Sequence, residues 1–87
     1  MSTATEALAK KLLTAITDKP EAEIKNHDRL VEDLRVDGDD FSMTFVPRVN
    51  REFGIKVPWR EWESVRTVAD VVAIIELHRS SQPRMDS

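Results

Sequence analysis

The 87-residue chain contains no cysteine and no tyrosine, and only two glycines and two histidines. The missing thiols exclude a disulfide framework, a thiolate nucleophile, an iron–sulfur cluster and a Cys-ligated zinc. His27 and His78 are too few and too far apart for a histidine metal site, and both are expected at the surface. No apolar run approaches the ~20 residues that a membrane span needs. The first residues, Met1 to Lys11, carry no apolar h-region before a cleavage site, so a cytoplasmic location is expected. A basic stripe is lacking as well. The net charge is −3, which opposes nucleic acid as the main partner.

What is present suits one small helical domain. Hydrophobic residues make up 40% and charged residues 33%, enough for a single modest core. The charge is uneven. Residues 1–40 hold six Lys/Arg against ten Asp/Glu, whereas residues 41–87 hold seven against six. Leu8, Leu12, Ala15 and Ile16 predict a first helix over residues 5–17, stopped by Pro20. Residues 20–36 read as a long connection packed to the core through Ile24, Leu30, Val31, Leu34 and Val36. Asp37-Gly38-Asp39-Asp40 reads as a turn and helix start, with Gly38 supplying backbone freedom. A second helix, with Phe41, Phe45, Val46, Val49 and Phe53 as its apolar stripe, then runs to Phe53, closed by Gly54. Pro47 should kink it or split it, and should bias Val46 away from helical angles. One helical turn is expected over residues 59–65. Thr67 and Asp70 form a loose capping box for a last helix carrying Val68, Val71, Val72, Ile74, Ile75 and Leu77. Residues 80–87 read as a disordered tail.

Four segments in order resemble an acyl carrier protein: Leu30-Val31-Glu32-Asp33-Leu34, Asp37 to Asp40, Phe53-Gly54-Ile55-Lys56-Val57-Pro58, and Val65-Arg66-Thr67-Val68 with Asp70-Val71-Val72. The resemblance spans about two-thirds of the chain. It implies an all-α four-helix bundle over residues 1–79, with a long first loop and a short third helix. It also implies a non-enzymatic carrier of acyl or peptidyl thioesters. In the family these ride on a 4′-phosphopantetheine arm joined to a serine at the start of the second helix.

The sequence departs from that pattern at the attachment position. Counting from Leu34 places the serine at Gly38, and counting back from Phe53 places it at Asp39. Neither has a hydroxyl, and a phosphodiester needs an alcohol oxygen. The Gly-Asp-Asp triplet is similar to that of a group of carrier-like proteins that bear it instead of the serine motif. The expectation is therefore a monomer with no cofactor, which docks to a protein such as an acyl-chain synthase or transferase. Its contact residues would be Asp37, Asp40, Phe41, Met43, Arg48 and Arg51. The alternative is a working carrier with its arm on Ser42, followed by apolar Met43; otherwise Ser42 is a plain helix-surface serine.

Other groupings carry two readings each. Asp37, Asp39 and Asp40 could bind a divalent cation weakly, but the spacing is not that of an EF-hand loop, and helix capping accounts for them. Arg48, Arg51, Lys56 and Arg60 form either a surface for acidic partners or a solvated face balanced by Glu52. Trp59 and Trp62 either face a partner or plug the core. No Ser/His/Asp spacing supports a hydrolase.

Overall fold

The computed structural model describes residues 3–81. These form four helices and no strand, the only β-type pairing among them being an isolated bridge between Arg29 and Thr67. The architecture is the all-α bundle expected from the sequence.

Helix α1 covers Thr3–Leu13 and turns Thr5, Ala9, Leu12 and Leu13 inward. It ends four residues earlier than its apolar spacing predicts. The Thr14 hydroxyl donates to the carbonyl of Lys11, which in a continuing helix would receive the Ala15 N–H. Ala15 instead bonds to Leu12 at 3.2 Å and Ile16 to Leu13 at 3.0 Å, a tightened i→i−3 ending. Ala15 is consequently exposed, not part of the stripe.

The connection that follows holds a single 3-10 turn, Glu21–Glu23. Ile24, Leu30, Leu34 and Val36 are buried as anchors, but Val31 is 67% exposed and anchors nothing. The reason is local. Asp33 and Leu34 N–H both donate to the Arg29 carbonyl, closing a turn that points Leu30 and Leu34 inward and Val31 outward. Arg35 then takes a left-handed φ of 59°, and the Val36 N–H returns to the Leu30 carbonyl at 2.8 Å.

Helix α2 covers residues 38–53 in three stretches: an α-helical first turn Gly38–Asp40, a π-helical stretch Phe41–Phe45 and an α-helical stretch Val46–Phe53. Pro47 does not split it. Val46 keeps φ −60° and ψ −47°, and its N–H reaches back five residues to the Phe41 carbonyl. The widened π turn just before Pro47 repositions the carbonyls that the proline ring would otherwise strike, and absorbs the missing N–H. The helix ends at Gly54, with φ 66° and ψ 39°. Asn50 organises that end: its carbonyl accepts from Gly54 and Ile55, and its side-chain oxygen from Val57.

Helix α3 is one turn, Trp59–Trp62, and helix α4 runs Val68–Ser81. Residues 80 and 81, expected to open a disordered tail, are helical as the end of α4; residues 82–87 lie outside the described residues. Val68, Val71, Val72 and Ile75 are fully buried, whereas Leu77 is exposed. The Arg79 guanidinium closes the bundle by donating to the Thr5 hydroxyl of α1 and lying 5.5 Å from the Phe53 ring of α2. His78, expected at the surface, is half-buried and bonded to Glu61 Oε1 at 2.7 Å, which ties α4 to α3.

Candidate functional site

The first turn of α2 follows Asp37, whose Oδ1 accepts from the Asp39 N–H at 3.1 Å while its carbonyl accepts from Phe41 at 2.9 Å. Gly38 and Asp39 lie on this exposed turn. Gly38 is helical, so the backbone freedom expected of it is not used; Gly54 is the one glycine with positive φ. A Cβ placed on Gly38 meets nothing within 4 Å. The fold would therefore admit a serine there.

Beneath this turn lies an aromatic wall. Phe41 stacks on Phe45 at 5.1 Å and meets the edge of Trp62 at 5.5 Å. Phe41 is buried, so its expected role as a contact residue is corrected: it supports the surface from below because its ring is enclosed by Phe45 and Trp62. Trp62 is core, and its indole N–H is buried without a partner among the described residues. Trp59 sits at the margin, 46% exposed, its ring 6.2 Å from Phe41.

The outer face of α2 carries the other sequence-predicted residues. Asp37, Asp40, Met43, Arg48 and Arg51 are all exposed, Met43 by 75%. Ser42 is half-buried in the π stretch, one turn beyond Asp39, and its hydroxyl donates to the Asp39 carbonyl at 3.4 Å. Trp59, which the sequence leaves open between a partner surface and the core, lies beside Phe41 at the margin of this face. Pro58, in extended geometry, launches α3 so that both Trp59 and Trp62, three apart, lie near the Phe41 ring.

The acidic groups do not gather into a metal site. Among the described residues no group of three or more His, Asp or Glu is placed to hold an ion. No helix among them is long and apolar enough to cross a membrane.

At the opposite helix start, Thr67 Oγ1 accepts from the Asp70 N–H, and Asp70 Oδ2 accepts from the N–H groups of Arg66 and Thr67. This is the reciprocal capping box expected from the sequence. These bonds, led by that from Arg66, hold the Asp70 carboxyl below its ordinary value. The next N–H groups, Val68 and Ala69, donate to the carbonyls of Asp28 and Asn26, so the long loop is stitched to α4.

A four-helix layout with a long pinned loop, a one-turn third helix and an exposed second-helix start makes this a small all-α domain of the kind that the sequence resemblance implies. Two relatives place it more narrowly. An acyl carrier protein of Helicobacter hepaticus is 39% identical over 57 residues, 66% of this chain and 74% of the relative. One of Rickettsia bellii is 34% identical over 76 residues, 84% of this chain and 87% of the relative. The chain belongs to the acyl carrier protein family, whose members are carriers and not catalysts. No family-level sequence model matches it.

Proposed function

We propose that this chain, whose carrier-like domain runs to the end of α4 at Ser81 rather than to residue 79, has given up the attachment alcohol. It acts by binding protein partners such as an acyl-chain synthase or transferase. The observation that carries this reading is the first turn of α2. The two positions where the family pattern calls for serine are Gly38 and Asp39, both exposed and both without a hydroxyl. Nothing in the packing requires the change, since a side chain at Gly38 has open space. Asp37, Asp40, Met43, Arg48 and Arg51 form the contact surface, and a cytoplasmic setting suits such a partner.

The test is the intact mass of the purified protein after incubation with coenzyme A and a broad-specificity phosphopantetheinyl transferase. The reading predicts an unchanged mass. A gain equal to the arm, lost in Ser42→Ala, would replace it with a carrier modified one turn further along α2.

A further inference from the structure

The exposed face of α2 is acidic at its start and basic toward its end, and the spacing is symmetric. Arg48 lies four residues after Thr44 and Asp40 four before it; Arg51 lies seven after and Asp37 seven before. All five side chains are exposed. Among the described residues, neither Asp40 nor either arginine makes an ion pair within its own chain. Asp40, Thr44 and Arg48 succeed one another at four-residue steps and share one side of the helix, with Met43 and Pro47 exposed beside them.

We propose that this face pairs with the same face of a second copy of the chain, two α2 helices lying antiparallel about a two-fold axis at Thr44. A two-fold contact needs a surface complementary to itself, and this one is. Asp40 of each copy meets the other copy's Arg48, about 12 Å along the helix from its own. Asp37 meets Arg51, which makes four opposite-charge pairs in all. Met43 and Pro47 lie against each other along one edge. The register also avoids like charges. Asp39 comes opposite Val49 and Glu52 opposite Val36, both buried apolar residues. Glu52 lines a groove between α1 and α2 together with Lys11, and Arg48 borders the same groove. The contact is small and polar, so it forms a transient, salt-sensitive dimer, in place of the monomer expected from the sequence. It stands independently of the docking reading, because it requires only the charges of this chain. Where both hold, the dimer covers the docking surface until a partner displaces it.

Sedimentation equilibrium of the full chain tests this over a range of concentrations, in about 10 mM salt and in about 1 M salt, where the screening length falls to about 3 Å. The average mass should rise with concentration in low salt and return to that of the monomer in high salt. Asp40→Arg and Arg48→Glu each turn two of the four pairs from attraction to repulsion, and each should weaken association about tenfold. An equimolar mixture of the two variants restores opposite charges at both positions and should recover the dimer. Arg51→Glu leaves the helix start untouched and should weaken it too, whatever Asp40→Arg does to folding. A monomer at every concentration in low salt would overturn the proposal. So would association unaffected by Arg48→Glu and Arg51→Glu, or a mixture of folded variants that stays monomeric.

Discussion

The N-termini of α2 and α4 are built from similar residues and do opposite work. At α4 the early backbone donors are used: Val68 on the Asp28 carbonyl, Ala69 on Asn26 and Asp70 on the Thr67 hydroxyl. That end is a structural joint. At α2 only the Asp39 N–H is capped by a side chain, Gly38 has open space about it, and the three aspartates are exposed. A helix end whose donors are consumed by the fold cannot serve a ligand or a modifying enzyme. In the proposed reading, the end left open is the one at which the family places its chemistry, and Gly38 and Asp39 there carry no hydroxyl.

The contrast can be broken most severely from beneath α2. Trp62→Ala removes the wall shared by Phe41 and Phe45 and should cost about 3–5 kcal/mol, read as a lower denaturant midpoint. Breaking the joint at α4 should cost less. Asp70→Ala leaves the Arg66 and Thr67 N–H groups without their acceptor and should lose about 1 kcal/mol. The same residue gives a pH signature. Its folded-state pKa is depressed from the model-peptide value of 3.8, so its contribution is present above about that pH and fades as pH falls through the lower folded value. Asp33, held down by the N–H of Arg29, acts with the same sign. Thermal melts between about pH 5 and pH 2 should therefore show a smaller acid-induced loss in Asp70→Asn than in the parent chain.

Two glycine substitutions sharpen the comparison further. Gly54→Ala forces a Cβ into φ 66° and should destabilise by about 1 kcal/mol. Gly38→Ala meets no neighbour and trims unfolded-state freedom, so it should be neutral or stabilising by up to about 1 kcal/mol. The smallest effect belongs to Met43→Ser on the outer face of α2, within about 0.5 kcal/mol of the parent in stability.

The helical class, the pinned loop and the Thr67–Asp70 box were legible because each rests on local spacing: apolar residues at three and four, a hydroxyl three before a carboxylate. Three details were not. The early end of α1 depends on one hydroxyl, Thr14, competing for a carbonyl that the apolar pattern cannot see. The continuity of α2 through Pro47 depends on a π turn, which leaves no clear mark in composition. The outward placement of Val31 follows from a turn closed on the Arg29 carbonyl, since hydrophobicity alone ranks Val31 with Leu30 and Leu34. At the candidate site the exposed charges were readable from helical spacing. Phe41 was legible both as part of the apolar stripe of the second helix and as a contact residue, and its packing against Trp62, twenty-one residues further along the chain, decides for the stripe.

The central claim is that the surroundings of the attachment position persist and only the alcohol is gone. It is tested most directly by returning that alcohol: Gly38→Ser and Asp39→Ser are incubated beside the parent chain with coenzyme A and the transferase, and intact masses are compared. The account predicts that the parent stays unmodified while at least one serine variant gains the mass of one arm. A parent chain that takes up the arm while both serine variants behave no differently would contradict it.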